Sequence, residues 1–271
     1  MILLFCDETS VEPNQGPFFI YGGLAVPGGT ALTLSAAFQD LLSEYGYDPM
    51  KDPADPRPLK FNCKPPEGID HETIKTIKRK ALALAAEAGC KLYVNLILHD
   101  IVRKIEKRHW PLNQLLWCFD ASLEKELEDA LVVIDQYEKI GGGRSLQSIM
   151  QERFLRGLSF PGGRYRLRRI LGIAQGCIGS SHFSSIVDVA LGCFRLAVNK
   201  RDDEEQRRLG RTLLEQIAPL FPKDEQGRVP VPHLSFMPGA VYRPLLRHYQ
   251  EVAEFLVECG LPPGLLPGMK G

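Results

Sequence analysis

The sequence predicts an α/β fold, and three observations predict it. Short apolar runs recur along the chain, and stretches with helical spacing separate them. Two of those runs stop abruptly at acids, Leu3 to Cys6 at Asp7-Glu8 and Ala130 to Ile134 at Asp135. The composition, 44% hydrophobic and 24% charged, is that of an ordinary globular protein. At 271 residues the chain can form one large domain or two small ones.

Each element follows in order. Leu3-Leu4-Phe5-Cys6 reads as a buried strand that leaves Asp7 and Glu8 at a sheet rim. Pro13-Asn14-Gln15-Gly16 is turn chemistry, and Phe18 to Val26 is a second strand, so the pair reads as an antiparallel hairpin. Pro27-Gly28-Gly29 ends that strand, and Leu32, Phe38, Leu41 and Leu42 give the next segment helical spacing. A proline-rich surface loop leads to Leu59-Lys60-Phe61, read as a short extended piece. Asp70 is a plausible N-cap for a helix that Gly89 stops. Alternation of Leu92, Val94, Leu96 and Leu98 marks a third strand. Helical spacing resumes near Ile101 and from Leu112 to Leu127. Ala130 to Ile134 is apolar throughout, as in a strand covered on both faces. Gly141-Gly142-Gly143-Arg144 reads as a linker, because no lysine-serine pair follows as in a P-loop. Ile170 to Cys177 is a further strand, and Gly179-Ser180-Ser181 precedes a helix over 182–199. A charged run from Arg201 opens another helix, a proline-rich stretch covers 219–238, and a last helix runs from about Arg243.

Bulk properties narrow the functions. Formal net charge is zero, so any anion-binding surface must be local. No run approaches the ~18 apolar residues of a membrane helix, and the N-terminal run is too short for a signal peptide. Seven cysteines are scattered from Cys6 to Cys259 without a C-x-x-C pair, so buried reduced thiols and a cytoplasmic setting are expected. His99, His109 and His233 lack metal-ligand spacing and read as surface or capping residues. Ser181, His182 and Asp188 crowd one helix without a G-x-S-x-G elbow, which argues against a hydrolase triad.

Acids and arginines carry the remaining chemistry. Asp188 lies in a largely apolar helix, where a carboxylate is costly unless paired or metal-bound. Ser184 and Arg195 share its face, so a salt bridge to Arg195 or another arginine is one outcome. Carboxylates gathered at one rim repel one another unless Mg²⁺ or Mn²⁺ shares their charge. From Arg153 to Val187 no acid occurs, and Arg164, Arg166, Arg168 and Arg169 form the densest basic segment. Such arginines suit bidentate phosphate contacts, or they pair with acids elsewhere in the fold.

The order of elements resembles the ribonuclease H-like superfamily. That resemblance implies a mixed five-stranded sheet flanked by helices, over 1–200, with a C-terminal helical extension over 201–271. It implies metal-binding acids from the first strand, the fourth strand and a late helix, where Asp7, Asp135 and Asp188 stand. Phe5-Cys6-Asp7-Glu8-Thr9-Ser10, the glycine-containing second strand, and Ser180-Ser181 with Ile186 to Gly192 resemble a bacterial family called domain of unknown function 3800. Thr9 departs from its usual serine, and Val187 and Val189 from its usual neighbours of the helix acid. The ribonuclease H glutamate of the first helix has no clear counterpart; Glu8 is the first substitute and Glu44 the second. Lys60 falls near a basic position of that family, as a phosphate contact or an ordinary surface lysine.

The expected activity is therefore divalent-metal-dependent hydrolysis of DNA or RNA. Asp7, Glu8, Asp135 and Asp188 would be catalytic, with Asp7, Asp135 and Asp188 holding Mg²⁺ or Mn²⁺. Lys60, Arg164, Arg166, Arg168, Arg169 and Arg195 would contact nucleic acid, and no membrane partner is expected. The alternative is an inactive module that binds nucleic acid or a partner protein. An actin-like phosphotransferase is disfavoured, because Asp7-Glu8-Thr9-Ser10 offers no phosphate-loop glycine.

Overall fold

The computed structural model describes residues 1–52, 55–104, 109–135, 146–160, 162–201, 203–239, 243–266 and 268. The triple-glycine segment from Gly141 to Arg144 lies outside them. The chain opens with β1 (Ile2–Thr9), β2 (Phe18–Pro27), α1 (Gly28–Glu44), α2 (His71–Glu87) and β3 (Lys91–Leu98). It continues with α3 (His99–Lys104), α4 (His109–Glu126), β4 (Ala130–Asp135), α5 (Leu146–Arg156), β5 (Leu158–Phe160) and β6 (Gly163–Tyr165). It closes with β7 (Ile170–Gly176), α6 (His182–Asn199), α7 (Glu204–Ile217), β8 (Leu234–Met237) and α8 (Arg243–Glu258).

The sheet order is β7-β4-β1-β2-β3-β8. β2 runs antiparallel to β1 and β3, whereas β1, β4 and β7 run parallel, as do β3 and β8. Its first five strands form the mixed, helix-flanked sheet expected from the sequence. β8 adds a sixth, so the stretch after residue 200 supplies a strand as well as helices. Four residues inside a proline-rich run carry too little alternation to be seen as a strand; the β3 edge supplies their partners.

Alternation along the strands divides the core in two. Phe5, Phe18, Ile20, Leu24, Leu92 and Leu96 face a layer built by α1, α2, α6, α7 and α8. Leu4, Cys6, Phe19, Tyr21, Tyr93 and Ile134 face α4 and α5. Local signals set the helix ends as expected: Asp70 accepts the Thr73 N–H at 2.7 Å, and Gly89 turns the chain at φ +76° after α2. Other boundaries differ. Pro27-Gly28-Gly29 opens α1 as well as ending β2, since proline's fixed φ suits a helix start. Leu59-Lys60-Phe61 is loop rather than strand, and α5 with the β5–β6 hairpin occupies the arginine-rich region.

Several sequence expectations are corrected here. His99 and His233 are buried, not at the surface; His233 Nδ1 lies 3.1 Å from the Leu92 carbonyl, and burial pushes its pKa down to about 4. Of the seven free cysteines, Cys177 is exposed and Cys63 and Cys259 are half-buried. Glu44 pairs with Lys80 at 2.9 Å on the α1–α2 surface, which removes it as a substitute for the first-helix glutamate. Among the described residues no helix is long and apolar enough to cross a membrane.

Candidate functional site

Register places the first two acids side by side. Cys6 pairs with Ile134 in the parallel β1–β4 ladder, so the next residues, Asp7 and Asp135, are lateral neighbours at the C-terminal rim. By alternation both lie on the α6 side of the sheet, with Phe5 and Val133. α6 brings the third. It passes β1 with Phe183 5.0 Å from Phe5 and lays Leu191 against Gly22, the residue paired with Asp7. A Cβ on Gly22 would come 2.5 Å from Leu191, so glycine permits this close approach. Asp188 sits between those two contacts and thus at the level of Asp7.

Electrostatics show that the three share one neighbourhood. Burial holds the Asp7 carboxyl well above the usual carboxylate range. The charges of Asp188 and then Asp135 raise it further, and Glu8 adds the smallest increment. Against this, Asp7 accepts the Glu8 N–H at 2.8 Å. Burial also raises Asp188, while the Phe61 N–H, Lys60, Lys78 and Arg195 pull it back.

Glu8 has a different position. β1 continues to Thr9, so Glu8 points by alternation to the α4 face with Leu4 and Cys6, away from Asp7. It acts on Asp7 as a charge at the rim.

Asp188 is also a structural anchor. Its carboxylate accepts the Phe61 N–H at 2.5 Å, in place of the salt bridge to Arg195 that the sequence allowed. Lys78 Nζ donates to the Phe61 carbonyl at 2.7 Å. The Phe61 ring fills the notch at Gly192, where a Cβ would come within 2.1 Å of it. Lys78 and Arg195 lie 5.7 and 5.6 Å from the ring centroid. Lys60 and Arg195 therefore stand beside the acids. Lys78 belongs with them and was missed, because it is one of several lysines on α2 and nothing in its spacing marks it.

The arginine segment lies elsewhere. Ala130 donates to the Arg169 carbonyl, and Ile170 pairs with Ala130 at the start of the parallel strands. Arg166, Arg168 and Arg169 thus belong to the opposite rim, about 16 Å along the strands from Asp7 at ~3.3 Å per residue. Arg164 pairs with Glu152, Arg168 with Glu124 and Arg169 with Asp129. These three pair with acids distant in sequence and stand away from the acidic rim, and Arg166, though exposed, shares their rim.

Hard carboxylate oxygens suit Mg²⁺ or Mn²⁺, and Mg²⁺ keeps several waters and needs only one or two protein carboxylates. Asp7 and Asp135 meet that requirement, and the like charge crowding Asp7 is what a cation would relieve. Among the described residues, however, no three His, Cys, Asp or Glu side chains close into a ready ligand cage. Asp188 faces the Phe61 N–H instead.

No family model and no curated protein matches the chain. Solved structures do. One match is to a chain of the PCNA:RNase HII complex from Archaeoglobus fulgidus, at 10% identity over 100% of this chain and 96% of that one, with a TM-score of 0.35. Another is to Bst-RNase HIII in complex with Mn²⁺, at 11% identity over 81% of this chain and 64% of that one, with a TM-score of 0.32. These likenesses are too loose to carry any residue or activity across.

Proposed function

We propose that the chain is a divalent-metal-dependent nuclease that hydrolyses phosphodiester bonds of DNA or RNA. The observation that carries this reading is the convergence of Asp7, Asp135 and Asp188 from three separate elements at one rim, where the charges of Asp188 and Asp135 raise the Asp7 carboxyl. Fold stability alone would not favour such crowding, and perturbed carboxylates in company mark functional sites. Asp7 and Asp135 would hold Mg²⁺ or Mn²⁺, with Asp188 joining when it leaves the Phe61 N–H. A bound divalent ion there would activate water and neutralise charge on a scissile phosphate. Lys60, Lys78 and Arg195 would orient the phosphates. Glu8 would tune Asp7 from the other face. The Asp7-Glu8-Thr9-Ser10 opening keeps the resemblance to the bacterial domain of unknown function 3800 family part of this reading.

Titration calorimetry with Mn²⁺ tests it, together with oligonucleotide cleavage. The wild type should bind the ion and cleave, and Asp135→Asn should lose both. A wild type that takes up no Mn²⁺ overturns the assignment. The hydrogen bond from Phe61 to Asp188 specifically favours a second reading, an inactive module in which Asp188 only anchors a loop. That reading expects nucleic-acid binding indifferent to Mn²⁺.

A further inference from the structure

A cleft of about 610 Å³ opens beside the acids and shares only Lys60 with the chemistry above. Three elements join it to them. Lys60, which acts on Asp188, lines its wall, as does Ser185, one turn before Asp188 on α6. Cys177, also in the wall, follows Gly176, the β7 partner of Asp135. The far walls are apolar: Phe38 and Leu42 from α1, and Met50, Pro58 and Leu59 from the loop before α2. Its volume lies within the ~300–1,000 Å³ of small-molecule sites. One side is thus apolar, and the side toward the acids carries a cation, hydroxyls and the start of α6.

We propose that this cleft receives an unpaired nucleobase of the substrate strand, with the adjoining phosphate at Lys60. This rests on the reading of the acids as a phosphodiester site and names the substrate class, a single-stranded or locally unpaired nucleic acid. Apolar walls and a cation at the mouth match the two halves of a nucleotide, a π-face and an anion. A base within a duplex is stacked and paired and does not reach such a slot without leaving the helix. The chain's zero net charge agrees, because the grip then comes from one slot rather than a broad basic face.

Binding without metal separates this proposal from hydrolysis. The probes are a single strand of about 12 nucleotides carrying an interior 2-aminopurine, and the blunt duplex of the same sequence, both in EDTA. The single strand should bind at least about tenfold more tightly than the duplex, as loss of one stacked base would cost. Its 2-aminopurine emission should change on binding. Cys177→Trp and Met50→Trp fill the cleft from opposite walls at exposed positions. Each should remove about tenfold of the single-strand affinity and the emission change. Leu209→Trp, on exposed α7, is the control that changes neither. Equal affinity for duplex and single strand, no binding of the single strand, or full affinity in both filled variants would overturn the proposal. Single-strand binding lost in the filled variants of a protein that never cleaves would leave the cleft standing and sink the nuclease.

Discussion

The two rims of one sheet each hold a buried or half-buried aspartate, and the contrast between them separates structure from chemistry. At the N-terminal rim Asp120 is fully buried and accepts the N–H groups of Arg168, Arg169 and Ile170 and the Tyr165 hydroxyl. Every lone pair it brings inside is used. Asp7, at the C-terminal rim, accepts one N–H and faces two further aspartates. A satisfied carboxylate stabilises the fold, whereas a crowded one costs stability and persists for another reason. The lesson is that charge near a carboxylate says less than whether its oxygens are answered.

The sharpest way to break this contrast is Asp7→Asn. Cleavage in Mn²⁺ should fall by at least about a hundredfold, while the melting temperature rises. The sign follows from the raised carboxyl: the folded state disfavours the anion above its own pKa, and the penalty fades as pH falls toward the unfolded value. The stability gained by the variant should therefore be largest at neutral pH and shrink in acid. A less stable Asp7→Asn variant would dissolve the distinction between the rims.

Asp120→Ala should do the reverse. It strands three backbone donors and should cost about 3 kcal/mol or more in urea unfolding, with cleavage per folded molecule intact. A third measurement sets the background for both. His233 is neutral in the fold, with a pKa near 4 against 6.5 unfolded. Its contribution is complete above pH 6.5 and is lost as pH falls toward 4, up to about 3 kcal/mol. His233→Gln should flatten that part of the stability profile; an unchanged profile would exclude it as the source. The smallest effect belongs to Arg168→Ala. An exposed, solvent-screened ion pair with Glu124 should contribute little to stability. Oligonucleotide affinity should stay within about twofold, since one phosphate contact's salt-dependent share is what a true contact would forfeit. A larger loss would restore the basic rim as a nucleic-acid surface.

Much of the candidate site was legible in the sequence. Asp7 and Asp135 stood out because each ends an apolar run, and a buried strand can carry a carboxylate only where it emerges. Asp188 stood out as an acid within an apolar helix face. Glu8 was ambiguous, because its direction depends on whether β1 stops at Asp7 or continues to Thr9. Lys78, Phe61 and the notch at Gly192 were invisible, since nothing local ties residue 61 to α6.

By itself the sequence determined five of the six strands of the main sheet, most helices and the three aspartates, because burial and period are properties of neighbouring residues. Only the tertiary structure decided which charges meet. It sent Arg164, Arg168 and Arg169 to acids at the far rim, brought Lys60, Lys78 and Arg195 to Asp188, and added β8 to the edge of the sheet. Attraction between charges depends on distance in space, and a chain of 271 residues reveals that distance only once its strands are in register.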